Sequence, residues 1–428
     1  ILDAARAVIR HNPDRTDKSL FTERGHGPEI VVHEAYDQDE EARFVVDTIA
    51  QLVAREGVRP GECAVMYRTN AQSRALEDAF VRAGLPYKLV GATRFYARRE
   101  IKDVIAFLRL IHNPAEGVSV ARVINVPPRG IGRKTMAVLE EAARERGLPV
   151  YEVLRDTPAE LGTRARRAVT AFLEMLEGWI AAREHVTVAQ LIDRVLQDTR
   201  YADYLRDGSE EGEERWANVL ELRNVAADYE ELTLTDFLAD VALVSDVDNL
   251  SADVNAPTLL TLHSAKGLEF PVVFVTGLEE GLLPHSRSFD DPEEMAEERR
   301  LLYVGLTRAK ERVFLTYAFR RTRYGESEPS PPSRFLDDLP PGLVEGSWGQ
   351  ARRSAHQRAT TWRPPSPVAR PAGPRFHIGE RVLHETFGEG VVVGSSVQGD
   401  DQIITVNFEG AGQKRLLASL APLELIEE

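Results

Sequence analysis

Cysteine is nearly absent: Cys63 is the single one in 428 residues. An internal disulfide framework and a cysteine-ligated zinc site are both excluded. The apolar setting Cys63-Ala-Val-Met66 reads as core filling. Long hydrophobic runs are missing as well. No apolar stretch approaches the roughly 20 residues needed to cross a bilayer, and none has the layout of a signal peptide. Positive charge is in deficit, with 53 Lys and Arg against 68 Asp and Glu and a formal net charge of −15. That excludes a generic basic coat for nucleic acid. It leaves room for a local cleft, because phosphate contacts depend on where the cations sit. The chain does not open on methionine; Ile1 is what a sequence beginning inside a longer polypeptide would show. The expected compartment is the cytoplasm.

What is present is ordinary for folded protein: 43% hydrophobic and 28% charged residues, in a length suited to two or three domains. Glu29 to Glu34 reads as a strand. Asp39 to Glu56 carries Phe44, Val45, Ile49, Leu52 and Val53 at helical spacing. Cys63 to Tyr67 is a second strand, and a helix follows from about Ala71, with Leu76, Phe80 and Val81 on one face and Gly84 as its stop. This alternation predicts a parallel α/β sheet. From about 105 to about 253 strand signals almost vanish, and helical pairs such as Phe172/Leu176 and Trp216/Leu220 take over. Strands return at 258–263, 272–276 and 313–317. An α/β domain interrupted by an all-helical insertion is the simplest account. Residues 339–375, rich in Pro, Ser, Gly, Arg and Ala, read as a flexible linker. Short strands separated by Gly-rich turns then predict a small β-barrel over 376–428.

Two segments carry the chemistry. Leu260-Thr-Leu-His-Ser-Ala-Lys-Gly-Leu-Glu-Phe270 is a strand running into a polar loop. In α/β folds ligands sit at strand ends. His263, Ser264 and Lys266 could present donors to an anion, with Gly267 permitting close backbone approach; a capped turn with solvated polar residues is the alternative. In Glu297-Glu-Arg-Arg-Leu-Leu-Tyr-Val-Gly-Leu-Thr-Arg-Ala-Lys310, Arg308 stands just before a core strand, able to project toward a neighbouring domain. A planar guanidinium suits a transferring phosphoryl group; the alternative is a surface salt bridge to Glu311, Glu297 or Glu298.

Together these segments resemble motifs V and VI of the superfamily-one DNA helicases of the UvrD, PcrA and Rep group. Tyr67-Arg-Thr-Asn-Ala-Gln-Ser-Arg74, Phe95-Tyr-Ala-Arg-Arg-Glu-Ile-Lys-Asp103 and Pro128-Arg-Gly-Ile-Gly132 resemble further signatures of that family, in order and spacing. Gly379 to Gly390 resembles its Tudor-like tail module. The resemblance spans nearly the whole chain and implies the family's C-terminal half. Motor domain 2A, RecA-like, would occupy 1–105 and 254–338, around a mobile helical domain 2B at 106–253, with the linker and Tudor-like barrel behind.

By the same resemblance Arg308 is the arginine finger on the ATP γ-phosphate, and Glu269, with Gly267 beside it, contacts the ribose. His263, Thr261 and His285 are implied in single-stranded DNA contact, as are Arg68, Asn70 and Arg74; capping is an equal reading for Asn70 and Ser73. The Gly130-Ile131-Gly132 turn, at a helix start, would meet a duplex phosphate through backbone N–H groups. Lys102 and Asp103 read as an intradomain salt bridge. The segment Gly130 to Thr135 lacks the Gly-x-x-x-x-Gly-Lys-Ser/Thr spacing of a P-loop. No true P-loop, no strand ending in Asp-Glu and no Gln-Asn-Tyr-Arg-Ser segment occurs anywhere.

ATP and Mg2+ would therefore be held mainly by an N-terminal half, and this chain alone would hydrolyse nothing. The implied whole is an ATP-dependent 3′-to-5′ DNA helicase and translocase of DNA repair. Its implied partners are single-stranded DNA and single-strand/duplex junctions, the N-terminal half, nucleotide-excision or mismatch repair proteins and, through the tail, RNA polymerase; a membrane is not among them. For the tail contact the exposed residues would be Arg381, Lys414 and Arg415, with His384 and Phe387 as possible anchors, Phe387 reading more readily as barrel core. The alternative is a stand-alone, non-enzymatic module binding DNA and RNA polymerase. A nuclease fusion is excluded, since only linker and barrel follow Tyr317.

Overall fold

The computed structural model describes residues 1–12, 22, 25–227, 233–247, 255–323, 326–345, 376–384, 388–398, 401–408, 412–417 and 423–425. The chain runs through α1 (Leu2–Ile9), β1 (Ile30–Ala35), α2 (Gln38–Glu56), β2 (Cys63–Tyr67), α3 (Ser73–Arg82) and β3 (Lys88–Val90). Helices alone follow among the described residues: α4 (Arg99–His112), α5 (Gly117–Val123), α6 (Arg133–Arg146), α7 (Val150–Arg155), α8 (Thr163–Ala182), α9 (Val188–Thr199), α10 (Tyr201–Leu205), α11 (Glu210–Ala227) and α12 (Leu234–Val247). The chain then returns through β4 (Thr258–Thr261), β5 (Phe270–Val275), α13 (Pro292–Thr307), β6 (Ala309–Ala318), the hairpin β7 (Arg320–Arg323) and β8 (Glu326–Pro329), and β9 (Val344–Glu345).

Local chemistry accounts for these elements. Asp37 caps α2 by accepting from the N–H groups of Asp39 (3.1 Å) and Glu40 (2.8 Å), and Gly57 in the left-handed region (φ 70°) ends it. Between the caps Ala42, Val45, Val46, Ile49 and Leu52 form one buried stripe. All five residues of β2 are buried, as a central parallel strand covered on both faces requires. Asp291 caps α13, with Pro292 in the first turn.

Seven strands form one sheet in the order β3-β4-β2-β5-β6-β1-β9, and every pairing in it is parallel. Lys88 of β3 stands opposite Thr258 of β4, so the whole helical block is inserted between two strands adjacent in the sheet. The interrupted α/β domain expected from the sequence is what forms. One core lies on each face of the sheet. The helices share a third, which gathers apolar side chains from Phe95 onward, Ile101, Val104 and Ile105 included, through to Val241. Residues 339–345, read from sequence as the start of the linker, instead complete the seven-stranded sheet. Leu339 and Val344 are 2% and 1% exposed, and β9 pairs with β1. The rest of that linker, 346–375, lies outside the described residues.

The tail is a separate unit. Strands β10 (Arg381–His384), β11 (Gly388–Gln398), β12 (Asp401–Phe408), β13 (Gly412–Leu417) and β14 (Leu423–Leu425) form an antiparallel sheet in the order β13-β12-β11-β10-β14. Phe376, Val382, Val392, Ile404, Val406, Phe408 and Leu423 make its core. His384 is buried with its ring edge-on to Phe408, so it serves the core and not an exposed anchor. Phe387 lies outside the described residues. Arg381 is exposed and paired with Glu389 at 2.7 Å. Lys414 is exposed, and Arg415 stands on β13 opposite Thr405.

Candidate nucleic-acid and nucleotide interfaces

The carboxyl ends of β2, β4 and β5 open into polar turns, and most of the residues singled out for DNA contact collect there. Together with one face of α11, from Glu210 to Asn224, they line a cleft of about 860 Å3. Arg68 leaves the end of β2 and lays its guanidinium on Glu298 of α13, with Nε and Nη2 donating at 2.7–3.1 Å. Glu298 also accepts the backbone N–H of His285 at 3.0 Å. One carboxylate thus ties the β2 turn, the β5 loop and α13 together. Asn70 donates to Glu214 of α11 at 3.0 Å. Thr261 Oγ1 accepts from the Ser264 N–H at 3.2 Å and shares a 3.0 Å bond with the Ser264 hydroxyl, the capped turn foreseen as the alternative. That turn leaves the His263 side chain exposed at the cleft. Desolvation and the Arg68 cation hold its pKa below the usual histidine value, against the pull of Glu210, Glu298 and Glu214. His285 Nδ1 accepts from the N–H of Arg287 at 3.3 Å.

Arg74 is placed differently. It is 4% exposed, bonded to Glu221 (2.6 Å) and Asp78 (2.9 Å) and 3.6 Å from Asp39. A guanidinium enclosed by three carboxylates is a cross-tie between α2, α3 and α11, not a ligand arm for an incoming phosphate. The signal for this was the Arg74/Asp78 spacing on one helix. Acidic α11 was missed altogether as part of the cleft, because nothing local says which surface its carboxylates will face.

Gly267, Glu269 and Arg308 lie at the opposite, amino-terminal end of the strands, where β5 and β6 begin. The N–H of Phe270 donates to the Arg308 carbonyl at 2.9 Å. The Arg308 guanidinium donates to the carbonyls of Val304 (3.3 Å) and Leu268 (3.1 Å) and to the Thr307 hydroxyl (3.3 Å). No carboxylate among the described residues engages it; the salt bridges to Glu297, Glu298 or Glu311 are not formed. Exposed Glu269 pairs with Lys310 at 3.3 Å. Gly267 has φ 89°, with open space where a side chain would be.

The helical block presents a third surface. Gly130 takes φ 85°, Ile131 is 2% exposed, and Gly132 starts α6 with no side-chain cap. The N–H groups of that first turn are left to other partners. Asp103 pairs with Arg122 at 2.8 Å and accepts from Tyr201, so its partner is not Lys102, which is exposed. Among the described residues no group of three or more His, Cys, Asp or Glu side chains could hold a metal ion, and no helix is long and apolar enough to cross a membrane.

The architecture is a parallel α/β sheet interrupted by a helical block, with a polar cleft at the carboxyl ends of its strands and an arginine that no carboxylate engages at the amino ends. The family model described as the UvrD-like helicase C-terminal domain matches residues 1–320, and the chain belongs to that family. The PcrA/UvrD tudor domain model matches residues 378–424. The chain is 38% identical to the ATP-dependent DNA helicase PcrA of Staphylococcus epidermidis, over all of this chain and 60% of that protein. For the PcrA of Bacillus subtilis the identity is 37%, over 99% of this chain and 60% of that protein. For that of Staphylococcus aureus it is 36%, over 100% and 61%. The chain spans about three fifths of the length of these curated relatives.

Proposed function

We propose that this chain is the C-terminal half of an ATP-dependent 3′-to-5′ DNA helicase and translocase of DNA repair. In this reading 1–105 and 254–338 are motor domain 2A and 106–253 is the mobile domain 2B. The observation that carries the reading is Arg308: a charged guanidinium at the amino-terminal end of the strands whose donors engage neutral groups only, beside Glu269 and the open turn at Gly267. Such a group can turn toward a phosphate without breaking an ion pair. Bound there, ATP would meet Arg308 at its γ-phosphate and Glu269 at its ribose. Its phosphate cradle and Mg2+ ligands would come from a P-loop half, since this sequence has no P-loop. ATP supplies the phosphoryl group whose loss drives movement. The chain's own share is to place positive charge on that group and to hold DNA at His263, Thr261, His285 and Asn70, with Arg68 bracing them through Glu298.

Helix α13 links the two ends. Glu298 and Arg308 are ten positions apart, about 15 Å at the helical rise of ~1.5 Å per residue. A shift of the helix at one end is felt at the other. The Gly130–Gly132 turn would grip the duplex ahead, and the tail would recruit RNA polymerase. Repair proteins of the nucleotide-excision or mismatch pathways would be further partners.

The test joins this chain to a P-loop half of the same family. The isolated chain should show no DNA-stimulated ATP hydrolysis and the joined protein should show it. Arg308→Ala should lower that rate by on the order of a thousandfold with nucleotide-free single-stranded DNA binding retained. Hydrolysis within about threefold of the parent would make Arg308 a structural residue.

A further inference from the structure

We propose that Asn125 and Arg129 are positioning residues for duplex engagement: half-buried against the helical core, they set the backbone of Gly130-Ile131-Gly132, so that the uncapped start of α6 faces a DNA phosphate. The proposal rests on the duplex-binding reading of that turn and assigns the machinery that aims it.

The groups offered at the turn are backbone N–H groups, and no rotamer can redirect them. Their direction is set by whatever holds the loop. Asn125 does this from one side. Its Oδ1 accepts from the N–H of Arg129 at 2.7 Å and from the N–H of Ile131 at 3.1 Å. Two N–H groups two residues apart close around a single oxygen, and the residue between them, Gly130, is forced to φ 85°. Ile131 then turns inward to 2% exposure, and Gly132 emerges exposed as the first cap of α6.

Arg129 does the same from beneath. Its Nη1 donates to the carbonyls of Val123 (2.9 Å) and Ile124 (3.2 Å), at the C-terminal end of α5, where a helix dipole favours a cation. The guanidinium lies 5.4 Å from the ring centroid of Phe172 and 5.9 Å from that of Phe107. No carboxylate among the described residues pairs with it, and its buried Nη2 has no partner. Burial pulls its pKa down to about 10, which leaves it charged at neutral pH. A half-buried cation with no counter-charge is costly, and an apolar side chain would fill this site more cheaply. What the arginine adds is a rigid planar link from α5 and α8 to the residue preceding Gly130.

The experiment uses the intact protein, free of nucleotide. Fluorescence anisotropy gives its affinity for a 3′-tailed duplex and for a single strand of the tail's length. Asn125→Ala should weaken junction binding about tenfold, the scale of one or two lost buried hydrogen bonds, and leave single-strand binding within about twofold. Asn125→Asp keeps the two-fold acceptor and should recover junction binding to within about threefold of the parent. Arg129→Lys keeps the charge but not the planar fork, and should behave like Asn125→Ala; with Asn125→Asp it carries the test if Asn125→Ala does not fold. Junction binding untouched by Asn125→Ala and Arg129→Lys, or junction and single-strand affinity lost in equal measure, overturns the proposal and leaves the duplex-binding reading standing. A parent protein with no preference for the junction overturns both.

Discussion

Glu77 sits where α3, the turn at Phe95 and the start of α4 meet. Its Oε1 accepts from the Ser73 hydroxyl at 2.5 Å, and its Oε2 from the Tyr87 hydroxyl (3.1 Å) and the Phe95 N–H (3.2 Å). Arg98 is 3.8 Å away but directs its donors to Thr93 O, Asn70 O, Asn218 Oδ1 and Ser73 Oγ. Burial outweighs these contacts and raises the carboxyl pKa to about 7. The folded value lies above the unfolded one, so the folded state holds the extra proton. The associated stability is complete below the unfolded pKa and is lost as pH rises through about 7. The melting temperature should therefore decline from about pH 4.5 to about pH 7 and level off above that. Glu77→Gln, which cannot ionise, should flatten that decline and raise stability at the alkaline end by on the order of 1–3 kcal/mol. An unaltered slope in the variant would mean Glu77 is ionised throughout. None of this was legible beforehand. Glu77 reads as one more charged helical residue until Tyr87, Phe95 and Arg98 fold over it.

Helix α13 shows what periodicity can and cannot deliver for an element. Of its apolar residues, Leu301 and Leu302 are buried and Val304 partly so. Its Asp291 cap and Pro292 start are local signals as well. The role of Glu298 is not local, since Arg68 lies 230 residues away in sequence. Both side chains are largely buried, at 12% and 6% exposure. Removing one partner from such a pair leaves an uncompensated charge, so Glu298→Ala should cost roughly 3 kcal/mol in denaturant unfolding. Glu298→Gln can keep the His285 N–H bond and should cost about half as much. Equal stability of the alanine variant and the parent would mean that Arg68 finds water instead. The shortest elements escaped the sequence altogether. Strands β3 and β9, of three and two residues, are too brief for an alternating pattern, and neighbours in the sheet define them.

At the scale of the whole molecule the chain divides into the unit of the parallel sheet with its helical insertion and the tail. The tail has a core of its own. Removing residues 376–428 from the intact protein should leave unwinding of naked DNA within about twofold of the parent and abolish retention of RNA polymerase in a pull-down, as expected of a tether that raises local concentration without touching catalysis. Loss of unwinding with polymerase retention intact would make the tail part of the motor.

The sequence by itself determined the class of fold, the helical interruption and the order of the chemical motifs, because strand and helix periods, caps and Gly-rich turns are written over a few residues each. It also located Arg308 and the Gly130–Gly132 turn. Only the tertiary structure decided that Arg74 is enclosed and Arg308 is not, that acidic α11 lines the cleft, and that Asn125 and Arg129 hold the turn. Those outcomes depend on burial and on partners distant in sequence. A charged side chain carries no local mark of whether its counter-charge will arrive.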